Sequence, residues 1–299
     1  MKPISRAAGR SATGAAAYRA GIEVVDARAG LVHDYTRKAG VIHSELILPN
    51  GSTANRSEFW NRVELHHKRG DAVLAREIEV SLPAELDAAA RLNLVVGYAR
   101  ELADRYRVAV DIAMHAPSSR GDDRNFHAHI MLSACSVSVR GDLGKKVVEL
   151  DPIACKKSGP GRVAMSSPAD HERPRWQALV NDALAQAGSE ARVDHRSNEA
   201  RGLETAPGVH IGPTSSQLER IGIRTRLGNA NRRRQAQNAK IRDERLKLAA
   251  LYAALEAESA SDQALAHRRR VVRRVRQQVE QRPRSGRNHG PKGPTQPRV

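Results

Sequence analysis

The chain has 299 residues, enough for one or two domains with a core of ordinary size, and its 40% hydrophobic and 28% charged residues are those of a soluble protein with some solvated length. Two Trp, five Tyr and two Phe are too few for an RNA-recognition module that stacks bases on strand-borne aromatic rings. The net charge of +17 is unevenly placed: residues 224–299 carry 20 Lys or Arg against 6 Asp or Glu, or +14, and the first 223 residues carry 30 against 27, or +3.

In chain order, Ser11 caps a short helix of small residues that ends at Gly21 and carries Tyr18 near its end. Residues 31–36 and 41–48 read as two extended stretches around Lys38-Ala39-Gly40, a hairpin pattern. Ser57 opens a helical stretch bearing Phe59, Trp60 and Val63. Residues 75–82 alternate as a strand, with Ile78, Val80 and Leu82 on one face and Glu77, Glu79 and Ser81 on the other. Asp87 caps an amphipathic helix with Leu92, Val95, Val96, Ala99 and Leu102 on its apolar side.

Residues 108–115 form the next strand, and a polar loop leads to another at residues 126–132. Residues 136–169 give little periodic signal. Pro174 is expected to begin a helix with the stripe Trp176, Leu179, Val180, Ala183 and Leu184, stopped by Gly188. Helix is expected again beyond Asn229, and disorder after Arg282. This order predicts an α+β domain over residues 1–223, an antiparallel sheet covered on one side by helices, followed by a basic extension over residues 224–299. That extension fits a polyanionic partner or a solvated tail without one.

Cys135 and Cys155 make neither a disulfide framework nor a zinc knuckle, so a reducing compartment fits. No apolar run reaches the roughly 20 residues that cross a bilayer. The basic N-terminus leads into Ala and Gly without a hydrophobic signal core, so a cytoplasmic location is expected.

His127 and His129, at i and i+2 on a strand, project from one face while Phe126, Ala128, Ile130 and Leu132 line the other. Two imidazoles converge on one ion when a third ligand arrives from an adjacent strand, and His115 ends the preceding one. Three histidines leave open coordination positions, as phosphodiester chemistry on a metal requires. The pair by itself equally describes histidines on a solvent-facing sheet, and His115 at a strand end, the intervening polar loop and the basic total favour the metal site. Glu77 or Glu79 could hold the second nitrogen of a ligand histidine, Glu79 preferred because it lies nearer its strand's centre, or both could be solvated. Among Tyr18, Tyr35, Tyr98, Tyr106 and Tyr252, spacing alone singles out no nucleophile.

The sequence resembles the MobA/MobL family of plasmid mobilization relaxases. The resemblance is carried by Gly9-Arg-Ser-Ala-Thr-Gly-Ala-Ala-Ala-Tyr-Arg-Ala-Gly21, His33-Asp-Tyr-Thr-Arg-Lys38, Val41-Ile-His-Ser-Glu45, Leu74-Ala-Arg-Glu-Ile-Glu-Val-Ser-Leu-Pro83 and Asn125-Phe-His-Ala-His-Ile-Met-Leu132. Asp194-His-Arg196 and Pro207-Gly-Val-His-Ile-Gly-Pro213 continue it, so that it covers roughly residues 5 to 225. It implies a relaxase-type palm fold and a divalent metal, Mg²⁺ or Mn²⁺, on His115, His127 and His129. It also implies Tyr18 as the nucleophile that becomes joined to the 5′ end of single-stranded or locally melted DNA at a transfer origin. Relaxosome accessory proteins and a coupling protein are the implied partners. Family members usually begin with a further short strand, whereas this chain starts Met1-Lys-Pro-Ile-Ser-Arg6, so a sheet without its usual first strand is expected. Two other readings compete: a non-catalytic basic DNA-binding accessory protein, and a metal-dependent nuclease that activates water.

Overall fold

A computed structural model describes residues 1–118, 122–151 and 168–280; Cys155 and the segment past Arg282 lie outside the described residues. The chain divides into two compact units, Met1–Leu203 with Val209–Asn229, and Glu204–Gly208 with the chain from Ala230 onward.

The first unit is built on a five-stranded antiparallel sheet. Its strands are β1 (Lys2–Ser5), β4 (Val41–Ile47), β5 (Val73–Ser81), β6 (Val110–His115) and β7 (His127–Ser133), in the order β1-β5-β7-β6-β4. Two small hairpins stand apart, β2 (Glu23–Asp26) with β3 (Leu31–Asp34) and β8 (Cys135–Val137) with β9 (Leu143–Lys146). The helices are α1 (Ala12–Ala20), α2 (Arg56–His66), α3 (Ala88–Tyr106), α4 (Pro168–Gln186) and α5 (Gly212–Arg220). The fold is therefore α+β, as the order of periodicities requires.

The sheet is covered on both faces, where the pattern predicted one. The even-numbered side chains Val80, Ile112, Ile130 and Leu132 pack on Val95, Tyr98, Ala99 and Leu102 of α3. On the other face Ala75, Met131 and Leu46 meet Ala12, Ala15 and Ala16 of α1 and Phe59, Trp60 and Val63 of α2. The face looks polar in sequence because its carboxylates are buried with partners. Asp111 accepts hydrogen bonds from Trp60 Nε1 at 2.7 Å and Arg56 Nε at 2.9 Å, so a charged position lies under a helix.

The expectation of a missing first strand is corrected. Lys2–Ser5 pairs with β5 at the sheet edge, Ile4 opposite Ala75 and fully buried. Pro3 is tolerated there because an edge strand pairs on one side only and does not need that N–H. The hairpin predicted around Lys38-Ala39-Gly40 is also absent: β3 pairs with β2, and β4 pairs with β6. β3 is too exposed to join the core sheet, and Gly30 closes a tight turn back to β2 by donating to the Asp26 carbonyl at 2.8 Å.

Pro174 lies inside α4 rather than at its start. The preceding turn is anchored by buried Glu172, which accepts from Tyr98 Oη at 2.9 Å and Tyr106 Oη at 2.7 Å. Asn55, not Ser57, caps α2, its side chain accepting from the Glu58 N–H at 3.0 Å.

A helix of 55 residues, α6 (Arg226–Glu280), makes up most of the second unit from Ala230 onward, and its described side chains are mostly exposed. Asn238 brackets the backbone of Ala206, accepting from its N–H at 2.9 Å and donating to its carbonyl at 2.8 Å. No helix among the described residues is long and apolar enough to cross a membrane.

Candidate metal centre

β6 and β7 are paired with His115 opposite His127 and Ala113 opposite His129. Residues directly opposite in an antiparallel pair point to the same face, so the three imidazoles gather at one end of the α1 face of the sheet. Their ring centroids are 4.9 to 5.3 Å apart, and one ligand atom from each lies within 4.8 Å of the others. This cluster can coordinate a metal ion.

The other nitrogen of each ring is taken. His129 Nδ1 donates to Glu77 Oε1 at 2.7 Å, His127 Nδ1 to the Asn125 carbonyl at 3.0 Å, and His115 Nε2 to the Arg19 carbonyl at 2.8 Å. Those oxygens accept only an N–H, so the lone pairs lie on Nε2 of His127 and His129 and on Nδ1 of His115. Outer hydrogen bonds of this kind set the tautomer and aim the ring at a metal. Burial pushes the His115 pKa down to about 4 against the pull of the Arg19 carbonyl, with Lys38 and the other two histidines adding to the fall. The buried ring is thus neutral at pH 7, the form that ligates. The donor set fits a divalent ion.

Of the two candidate carboxylates, Glu77 holds the histidine, which corrects the preference for Glu79. Burial pushes the Glu77 carboxyl up, but the hydrogen bonds from His129 and Arg19 and the Arg19 charge outweigh it and hold it well below the usual range. Arg19 donates from Nε at 2.7 Å and pairs through Nη2 at 2.7 Å. Glu79, although directly opposite His129 in register, turns to Lys2 at 2.8 Å on the exposed sheet edge.

The tyrosines separate in the fold. Tyr98 and Tyr106 are committed to Glu172 on the α3 side of the sheet, and Tyr252 is on α6. Tyr18 ends up beside the histidines because Ser11 starts α1, its side chain accepting from the Gly14 N–H at 3.0 Å, and Gly21 stops it with φ +66°. A side chain at Gly21 would be strained there and would press on Val41. The residue after Tyr18 is Arg19, whose carbonyl receives His115. Tyr35 stands edge-on to Tyr18 with ring centroids 5.2 Å apart.

Two contributors were invisible to spacing arguments, Arg19 and Lys38. Lys38 Nζ donates to the Tyr18 carbonyl at 2.7 Å and lies 4.0 Å from the centroid of the Tyr18 ring. Burial, and then the nearby Arg19 charge, pushes its pKa down to about 8. The only sequence signal for either is membership of the Tyr-Arg-Ala-Gly and Tyr-Thr-Arg-Lys blocks.

The direction of these shifts predicts acid lability. His115 titrates near its ordinary 6.5 when unfolded and near about 4 when folded, so between those values the unfolded chain binds more protons. Stability is therefore full above about pH 6.5 and falls as the pH drops toward 4. Glu77, held low in the fold, adds a further loss below its ordinary 4.5. Urea unfolding of the metal-free chain from pH 7 to 4 should show this slope, and His115→Gln should flatten its upper part. An equal slope in that variant would remove His115 from the account.

Comparison with known proteins agrees with the geometry. The family model described as "MobA/MobL family" matches residues 10–221. "Mobilization protein MobL" of Acidithiobacillus ferridurans is 56% identical over 254 residues, covering 78% of this chain and 65% of that protein. "Conjugal transfer protein TraA" of Rhizobium radiobacter is 30% identical over 266 residues, 79% of this chain and 24% of that protein. The chain thus spans just under two thirds of the first relative and about a quarter of the second. A solved structure described as "Molecular Basis of Vancomycin Resistance Transfer in Staphylococcus aureus" superposes with a TM-score of 0.53 at 26% identity, covering 66% of this chain and 96% of that one. Matched by the family model across most of its length, with the histidine cluster and the flanking motifs inside the matched region, the chain belongs to the MobA/MobL family.

Proposed function

We propose that the chain is a metal-dependent relaxase that nicks one DNA strand at a plasmid transfer origin through a covalent 5′-phosphotyrosine on Tyr18 and can rejoin it. The observation that carries this reading is the three-histidine cluster, each ring fixed through its second nitrogen and one of them bonded to the residue that follows Tyr18. When bound, a divalent ion supplies positive charge to a non-bridging phosphate oxygen. In this reading the ion is Mg²⁺ or Mn²⁺.

In this reading Tyr18 attacks phosphorus, giving up its phenolic proton, while the bond to the 3′ oxygen breaks and that oxygen gains a proton. The new phosphotyrosine keeps the phosphodiester energy, so a 3′ hydroxyl can later reverse the exchange without ATP. Glu77 and Arg19 keep His129 oriented, and the Arg19 carbonyl does the same for His115. The substrate is single-stranded or locally melted origin DNA in the cytoplasm. Relaxosome accessory proteins and a coupling protein are the partners such an activity calls for.

Residues 1–223 would form the nicking domain and residues 224–299 a basic extension that binds DNA without base specificity. Arg232–Arg234 and the six arginines between Arg268 and Arg276 are its charged clusters. Removing residues 224–299 is expected to weaken DNA binding broadly and to lower the slope of log affinity against log salt by about 0.9 for each duplex phosphate that is no longer neutralised. An unchanged slope would dismiss this role for the extension.

The test of the whole reading is incubation of supercoiled plasmid carrying its own transfer origin with the chain and Mn²⁺. A nicked circle bearing covalently bound protein is expected, and chelation should abolish both. Strong binding that survives His127→Ala, with no cleavage, would instead make the chain a DNA-binding accessory protein.

A further inference from the structure

Lys38 is not used by the chemistry above, yet it touches both halves of the site. It follows β3 in a turn where its N–H donates to the Tyr35 carbonyl at 2.9 Å, and its side chain runs back to the end of α1. The ammonium donates to the Tyr18 carbonyl at 2.7 Å, lies over the Tyr18 ring 4.0 Å from the centroid, and sits 3.5 Å from His115 Nε2. That nitrogen already donates to the Arg19 carbonyl, so the approach to His115 brings two donors together, held in place by the Tyr18 anchors.

Lys38 is half-buried, and among the described residues no carboxylate pairs with it. Glu77 is occupied by Arg19 and His129. The cost of holding an ammonium there is offset by the Tyr18 carbonyl in the last turn of α1 and by the face of the Tyr18 ring, so both of these contacts are with Tyr18.

Tyr18 itself is on the last turn of a helix and is 49% exposed. Left alone, such a ring would move among rotamers. Lys38 on its face and the Tyr35 ring at 85° to its plane flank it and favour the observed orientation over others.

We propose that Lys38 is the positioning residue for the nucleophile, clamping the Tyr18 ring beside His115 in the orientation from which it meets the phosphate. The inference rests on the nicking role proposed for Tyr18. Its value to the reaction is orientational: a nucleophile already aligned with phosphorus does not lose that freedom in the transition state.

The test uses the full chain with fluorotyrosine incorporated throughout, the Tyr18 fluorine resonance being identified by its absence in Tyr18→Phe. Lys38→Met keeps the length of the side chain and removes its charge; Lys38→Arg keeps a cation that can stack on the ring. In Lys38→Met the Tyr18 resonance should move and sharpen toward that of an unconstrained ring. Titration with Mn²⁺ alone should give an affinity within about threefold of the unsubstituted chain, because no ligand or its hydrogen-bond acceptor is altered.

At saturating single-stranded origin DNA the rate of adduct formation should fall about 100-fold, the scale of losing one preorganised group, with little change in the half-saturating DNA concentration. Lys38→Arg should recover about tenfold of that loss. An unmoved Tyr18 resonance, or an unchanged adduct rate, in Lys38→Met would overturn the proposal. So would loss of Mn²⁺ binding in that variant, which would make Lys38 a support of the metal site. If the unsubstituted chain forms no adduct, the nicking reading fails by itself, and the fluorine resonance still decides whether Lys38 clamps Tyr18.

Discussion

Phenylalanine in place of Tyr18 is expected to abolish the covalent protein–DNA product and to leave the fold, Mn²⁺ binding and DNA binding in place. The ring is half exposed, and among the described residues no hydrogen bond to its hydroxyl is found. Losing one oxygen should therefore change stability by no more than about 0.5 kcal/mol. The chemical loss is of another order, because in the proposed reaction the Tyr18 hydroxyl oxygen is the atom that bonds to phosphorus. A drop of at least about 10⁴-fold in nicking is expected, the size seen when a covalent nucleophile is removed.

Denaturing electrophoresis of end-labelled origin DNA after incubation with Mn²⁺ checks this directly, and two outcomes would redirect it. Persistence of an adduct would point to Tyr35, whose ring is 5.2 Å from that of Tyr18, and Tyr35→Phe would then be the variant that abolishes it. Nicking without any adduct would mean that water attacks and that the protein is a metal-dependent phosphodiesterase.

The second large effect is expected at Glu77. Replacing it by alanine strips the acceptor from Arg19 and from His129 Nδ1 at once. Glu77 and Arg19 are 5% and 7% exposed, so a guanidinium would be left buried without its counter-charge, keeping only the Ala15 carbonyl, at a cost of about 3 to 5 kcal/mol. His129 would lose what fixes its tautomer, and Mn²⁺ affinity should fall about 10-fold to 100-fold. Glu77→Gln should divide the two effects, because its amide oxygen still accepts from His129 while the charge facing Arg19 is gone.

Glu79→Ala is the control. Its partner Lys2 and its own side chain are both well exposed, so the change should cost about 0 to 1 kcal/mol and leave Mn²⁺ binding unaltered. Urea unfolding and a Mn²⁺ titration on the three variants read both quantities. A Glu79→Ala chain as damaged as Glu77→Ala would overturn the assignment of the carboxylate.

Much of the scaffold was legible because local rules and the tertiary fold agree. Ser11 and Gly21 bound α1, Asp87 caps α3, and period-two alternation marks β5 and β7. The β8–β9 hairpin was not legible. Its strands are three and four residues long, too short for an alternation to register, and it is held by neighbours distant in sequence, such as the Arg107 carbonyl that accepts from the Val137 N–H. The two-sided covering of the sheet was hidden for a related reason. Arg19, Glu77 and Asp111 look like surface residues one at a time and are buried only with their partners, Arg19 with Glu77 and Asp111 with the partly buried Arg56.

What the amino-acid order determined by itself is the local part of the site: His127 and His129 on one face of a strand whose other face is apolar, and His115 at the end of the strand before it. A strand's period of two allows no other arrangement. Which carboxylate serves those histidines was decided only in the tertiary structure. Register puts Glu79 directly across from His129, but the edge strand brings Lys2 to Glu79 and α1 lays Arg19 over Glu77. Glu77 is thereby buried, ionised and turned toward the ring. The same crossing of α1 sets Tyr18 and Lys38 beside His115, a meeting of residues 20 and 77 positions apart from Lys38 that depends on packing between elements and leaves no trace in any local pattern.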